Sequence, residues 1–235
     1  MKLIGLLGGV GWKTTATYYR MLNERMQKEF GAPHTARVLL HSASSSAIIS
    51  SREEGDRVRQ AAVHAEAALS LKDGGADFIV IASNAIHEFA DHIAKASGLD
   101  LLHIADATGA AIKRDGFRNV ALLGTRATME ADFYQERLGK TYGVSVTTPD
   151  QAERAEVDRI IFEELGHGVM SSGSRMYLAG LISAMCKRGA EAVVLGCSEL
   201  TSLVPTDSGM PHVYDTTRLH AASAVQRALG NKLHV

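Results

Sequence analysis

The chain has 235 residues, 46% of them hydrophobic and 22% charged, and a formal net charge of −1. That length buries a large core as one domain or two small ones. The near-zero charge gives no electrostatic reason to expect nucleic acid or an anionic membrane as partner. Cys186 and Cys197 are too few for a disulfide framework or a structural zinc set. No apolar run approaches the roughly 20 residues of a membrane span, and the short apolar run after Lys2 reads as a strand, not a leader. The expectation is a reduced, cytoplasmic protein.

The first strand is read at residues 2–7, ended by Gly8-Gly9. A helix follows over 14–30 with Thr14 or Thr15 as its N-cap. A second strand at 37–41 runs into the polar loop Ser42-Ala43-Ser44-Ser45-Ser46. Val58, Ala62, Ala65 and Leu69 recur at 4-3-4 spacing, the mark of one helix face, and this helix ends near Gly74-Gly75. Strands are expected at Phe78–Ile81, 101–104, 120–123 and 144–147. Helices are expected through Phe133-Tyr134, around 151–165 and over 174–188. A strand at 192–195, another at 212–214 and a last helix from Thr217 complete the chain.

Strands alternating with helices imply parallel sheets covered by helices. A repeat runs through the pattern. Gly75-Ala-Asp-Phe-Ile-Val-Ile-Ala-Ser83-Asn84 returns as Gly189-Ala-Glu-Ala-Val-Val-Leu-Gly-Cys197-Ser198, with the same offset for both ends. Ile4-Gly-Leu-Leu-Gly8 matches Val120-Ala-Leu-Leu-Gly124, Tyr18-Tyr19 matches Phe133-Tyr134, and residues 102–106 match 211–215. The fold class expected is therefore α/β, with two pseudo-symmetric parallel-sheet halves and the site between them. The first half takes residues 1–104 plus 215–235 and the second 105–214.

Ligands of parallel α/β sheets bind beyond the carboxyl ends of the strands. Ser83 and Cys197 both stand there, as do Gly8-Gly9 and Gly124-Thr125. An acid and a base on opposite faces of one carbon are what stereoinversion needs. Cysteine suits the base, since its pKa of about 8.5 is lowered by donors and helix N-termini. Serine is a far poorer base, so the pair is lopsided. The competing reading of Cys197 is a small buried core residue; its polar context Gly-Cys-Ser-Glu argues for the site. Cys186, inside an apolar helix, reads as core.

The phrases Gly8-Gly9-Val10-Gly11-Trp12, Ser83-Asn84-Ala85-Ile86-His87, Leu122-Leu123-Gly124-Thr125-Arg126 and Gly196-Cys197-Ser198-Glu199 resemble the aspartate/glutamate racemase family. The resemblance runs nearly end to end and includes residues 160–164. It implies a cofactor-independent two-base racemase of an acidic amino acid, L-form preferred, with Cys197 and Ser83 catalytic, no pyridoxal phosphate and no metal. It also implies substrate contacts from Val10, Asn84, Ala85 (backbone only), Thr125, Ser198 and Glu199, and a homodimer. Three departures stand out: Ser83 replaces the usual cysteine, Ala85 the usual threonine, and the Ser44-Ser45-Ser46 loop lacks the usual acidic or amide residue. A distal carboxylate calls for a cation; Arg52 and Lys13 are candidates by position, against a solvated surface role. His103, Asp106, His212 and Asp215 read first as structural.

Other chemistries fit less well. In Gly8-Gly-Val-Gly-Trp-Lys-Thr-Thr15 the tryptophan separates glycine from lysine and breaks the phosphate-loop register. His87 and His92 are five apart, about 140° on a helix, and cannot share a metal; His87 lines the pocket or simply starts a helix. Ser83 lacks the hydrolase elbow. A single-cysteine decarboxylase of the same superfamily and a non-catalytic ligand-binding relative remain as alternatives.

Overall fold

Short apolar runs that end at or beside small residues form the central strands of two parallel sheets, Ile4–Gly8, Phe78–Ile81, Asn119–Gly124 and Ala192–Gly196, nearly all of their residues buried as strands covered on both faces require. The computed structural model describes residues 1–44, 55–204 and 211–230. The described chain divides into a first unit, Met1–Ile104 with residues 220–230, and a second, Ala105–Leu219.

In the first unit, β1 (Ile4–Gly8), β2 (Val38–Ser42), β3 (Phe78–Ile81) and β4 (Leu101–Leu102) pair in the order β2-β1-β3-β4, all parallel. Alternate residues of β3 face opposite ways, as the period of two requires. Phe78 and Val80 join Ile4 and Leu6 in a core completed by Tyr18, Leu22 and Met26 of α1 (Trp12–Phe30). Ile79 and Ile81 pack with Ala67, Ala68 and Leu71 of α2 (Arg57–Asp73) and with Ile93 of α3 (Ala90–Ser97).

In the second unit, β5 (Asn119–Gly124), β6 (Ser145–Thr147), β7 (Ala192–Gly196) and β8 (His212–Asp215) pair in the order β6-β5-β7-β8, again all parallel. Around them run α4 (Ile104–Asp115), α5 (Arg126–Glu130), α6 (Asp132–Arg137), α7 (Gln151–Arg159) and α8 (Ser172–Lys187). The last helix, α9 (Thr216–Ala228), begins in this unit and from His220 onward belongs to the first, where Ala221, Ala224, Val225 and Ala228 join the core of Ile4, Leu6, Phe78 and Val80. Val157 of α7 and Leu178, Leu181, Ile182 and Met185 of α8 cover Ala121, Leu123, Val193 and Leu195. Each sheet thus places its strands as second, first, third, fourth, so the repeat in the sequence is a repeat of topology.

Four expectations are corrected. The strand expected at 101–104 is only Leu101–Leu102, because α4 already begins at Ile104. The single helix expected over 151–165 is α7 followed by a π turn, Ile160–Glu164, and a 3-10 turn, Leu165–His167. Neither Thr14 nor Thr15 caps α1, whose N-cap is Gly11 with no side-chain bond. In α2 the 58-62-65-69 stripe is not the buried face: Val58 is 81% and Leu69 42% exposed, while His64, Ala65, Ala67, Ala68 and Leu71 are inside. The face turned to the sheet is instead that of Ala67, Ala68 and Leu71, which pack with Ile79 and Ile81. A Cβ on Gly5 of β1 would lie 2.8 Å from Ala76 Cβ and 3.4 Å from Leu71 Cβ, so glycine there lets the end of α2 and the turn after it approach the strand.

Candidate active site

Beyond the carboxyl end of the second sheet, Gly124 and Gly196 form the last rung of the β5–β7 ladder. A Cβ on Gly196 would meet Thr128 Cγ2 at 3.0 Å and the Leu123 carbonyl at 3.3 Å, so glycine keeps this rung closed. Thr125 and Cys197 therefore leave the sheet from neighbouring strands. Cys197 is extended, 7% exposed, and caps a 3-10 turn, Ser198–Ser202. Its thiol donates to Glu199 Oε2 at 3.0 Å, and the Ser198 hydroxyl donates to the same oxygen at 2.8 Å. Burial, and then the Glu199 carboxylate, push the thiol well above its ordinary pKa; the backbone N–H groups of Glu199 and Leu200 pull the other way and are outweighed. The lowered thiol pKa expected from the sequence is thus reversed, because burial and a facing anion both oppose a thiolate. Thr125 is the N-cap of α5, its hydroxyl accepting from Thr128 N at 3.3 Å and lying 3.1 Å from the Thr128 hydroxyl. Thr216 donates to the Leu195 carbonyl at 2.8 Å, tying the start of α9 to β7.

The first sheet ends in the same manner. Leu7 of β1 pairs with Ile81 of β3, and Ala82 N donates to the Leu7 carbonyl at 2.8 Å. Gly9 has φ +93° and abuts the Ala43 backbone, a place only glycine fits. Thr15, buried in α1, clamps this turn: it accepts from Gly9 N at 3.0 Å and donates to the Gly11 carbonyl at 3.1 Å. Half-buried Val10 follows and packs on the α2-side core. After β3 come half-buried Ser83, buried Asn84 and half-buried Ala85, which opens a 3-10 turn, Ala85–Phe89. His87 Nδ1–H donates to the Ser83 carbonyl at 2.7 Å, and His87 N donates to the Asn84 carbonyl at 3.1 Å.

The structure therefore gathers Val10, Ser83, Asn84 and Ala85 at one sheet end, and Thr125, Cys197, Ser198 and Glu199 at the other. Arg52, with Ser45 and Ser46, lies outside the described residues; Lys13 is exposed at the start of α1. Asp106 is held in a two-point fork by Arg137 at 2.7 Å for each bond, and Asp215 accepts from Arg218 N at 3.0 Å. His212 stands half exposed, 3.7 Å from Asp115. The sequence reading missed His220 and the Tyr18 hydroxyl, which meet at 2.8 Å beside buried His87 and His103. The available signal was a histidine on the apolar side of the last helix, between Leu219 and Ala221.

A family model for Asp/Glu/hydantoin racemases matches residues 7–224. The broad-specificity amino-acid racemase RacX of Bacillus subtilis is 24% identical, the match covering 97% of this chain and 98% of RacX. The crystal structure of a candidate Asp/Glu racemase from Yersinia pestis superposes with a TM-score of 0.91 at 43% identity, covering 97% of this chain and 100% of the other. That of an aspartate racemase homologue from Pyrococcus horikoshii gives 0.86 at 30% identity, with coverage of 97% and 100%. The chain belongs to the Asp/Glu/hydantoin racemase family and is an isomerase of the amino-acid racemase type.

Proposed function

We propose that the protein racemises an acidic amino acid, taking the L-enantiomer as preferred substrate and using neither pyridoxal phosphate nor a metal. The observation that carries this reading is the Cys197 thiol bonded to the Glu199 carboxylate at a strand end. In the resting pair the proton sits on sulfur. Transfer of that proton to Glu199 leaves a thiolate and a neutral carboxylic acid, so charge is conserved within the pair. The thiolate then takes the Cα proton of the L-substrate, and the Ser83 hydroxyl gives its proton to the opposite face of the carbanion. Asn84, the Ala85 N–H, Ser198 and Thr125 supply donors for the α-carboxylate, Val10 packs beside it, and Arg52 is the cation for a distal carboxylate. A serine alkoxide is a costly product, so proton return on the Ser83 side is slow and exchange at Cα outpaces inversion. A homodimer working in the cytoplasm completes the proposal.

The test is proton NMR of L-aspartate and L-glutamate in deuterated water, with Cys197→Ala as control and chiral analysis of the product. The expected result is loss of the Cα proton signal, faster than D-enantiomer appears, and abolished in the control. Ser83→Cys should raise inversion relative to exchange. Persistence of the Cα signal for these and every other amino acid tried would sink the racemase reading. Release of carbon dioxide from malonate-type acids would then favour the decarboxylase, which the single thiol also suits; no turnover with tight binding would favour a binding relative.

A further inference from the structure

Behind the Ser83 turn, wholly within the first unit, three histidine rings meet in the core. His87 is 2% exposed, His103 4% and His220 fully buried. The His87 ring lies edge-on to His103 with centroids 4.8 Å apart, and to His220 with centroids 5.3 Å apart. His220 Nε2–H donates to the Leu102 carbonyl at 2.8 Å, which leaves Nδ1 to accept from the Tyr18 hydroxyl at 2.8 Å. A carbonyl only accepts, so the bond to Ser83 fixes His87 as the Nδ1–H tautomer. Its Nε2 is buried and has no hydrogen-bond partner among the described residues. Among those residues no set of three His, Cys, Asp or Glu side chains could hold a metal ion.

An unpartnered buried ring nitrogen destabilises the fold, because it gives up its bond to water and gains none in return. Phenylalanine would fill the same space without that cost. What histidine adds here is one donor, and it is spent on the carbonyl of Ser83. Burial, with His103 and His220 alongside, holds the ring neutral, well below the ordinary imidazole pKa. The ring thus donates from Nδ1 without bringing a charge to the site.

We propose that His87 is a positioning residue for residues 83–85: its Nδ1–H holds the Ser83 carbonyl and so sets where the Ser83 hydroxyl and the Asn84 and Ala85 N–H groups point, with His103 and His220 fixing the ring. The inference rests on the reading of Ser83 as the proton partner of Cys197. A residue that positions Ser83 controls proton return more than proton removal. A residue that merely supports the fold lowers both together.

Two variants separate these cases. His87→Phe removes the donor and keeps the volume; His87→Asn places an amide N–H near the position of Nδ1. With His87→Phe, inversion should fall about 10- to 100-fold while Cα exchange of the L-substrate falls much less. His87→Asn should restore the ratio. Independently of turnover, long-range proton–nitrogen spectra of the wild-type rings should show His87 as the Nδ1–H tautomer. Amide hydrogen exchange at Asn84 and Ala85 should quicken in His87→Phe. An Nε2–H tautomer, unchanged amide exchange in a folded His87→Phe, or an equal loss of both rates overturns the inference. If the wild type exchanges no Cα proton while the tautomer and amide results hold, the racemase reading falls and the positioning of the turn stands. Failure of His87→Phe to fold leaves the wild-type tautomer and His87→Asn to decide.

Discussion

Cys197 and Glu199 illustrate how two residues of the same phrase divide one proton. Thiol and carboxylate 3.0 Å apart cannot both be anionic without strong repulsion, so the pair holds one proton in its resting form. Glu199→Gln removes the anion that holds the thiol pKa up, and with it the acceptor of the thiol proton. The thiolate ultraviolet titration, read in a Cys186→Ala background, should therefore move to lower pH. Cα exchange near neutral pH should fall about 100-fold or more, the scale of a lost general base. A lower thiol pKa with undiminished exchange would show that Glu199 takes no proton from Cys197. The phrase Gly-Cys-Ser-Glu was visible in the sequence, but the direction of the thiol pKa was not. Neighbours in sequence suggested donors, whereas burial and the Glu199 side chain decide the sign.

Among the elements, strands were legible and helix faces less so. Four-residue aliphatic runs closed by small residues leave little freedom, and Phe78–Ile81 was read with the bounds it has. The 58-62-65-69 spacing identifies α2 as a helix but not its buried face, which takes Ala65 from that stripe and adds His64, Ala67, Ala68 and Leu71, while Val58 and Leu69 stay exposed. Thr15 shows a related limit: its place in the sequence suggests a cap, and its hydroxyl instead closes the Gly9–Gly11 turn. That turn yields a prediction. At φ +93°, with the Ala43 backbone where a Cβ would go, Gly9→Ala should cost about 2 kcal/mol or more. Denaturant unfolding would register the loss as a lower midpoint; an unchanged midpoint would contradict the crowding described.

For the molecule as a whole, buried histidines set an acid limit to stability. His64 of α2 is fully buried near Phe89, and burial lowers its pKa to about 4. His87 is lowered as well. A histidine whose folded pKa lies below its unfolded value of about 6.5 binds more protons unfolded, so its contribution is present above that value and is lost as pH falls. Between pH 7 and pH 5 the loss should be about 2 kcal/mol for His64, and His87 adds to it in the same direction. Urea unfolding at the two pH values measures it, and His64→Leu should lessen the difference. Equal stability at both would mean that these rings are protonated in the folded protein. None of this was legible in the chain, where His64 looks like any helical histidine, because only tertiary packing decides which histidines lose water.

The two sheets share a strand order, yet each packs a core of its own. Such an architecture lets evolution edit one copy of a duplicated plan while the other goes on as before. Ser83 and Cys197 each sit at the end of a separately packed sheet, so under the proposed function a substitution at position 83 alters one proton step without repacking the surroundings of Cys197. In the proposed reaction the rates of proton removal and proton return would then be separately tunable, each through its own sheet end.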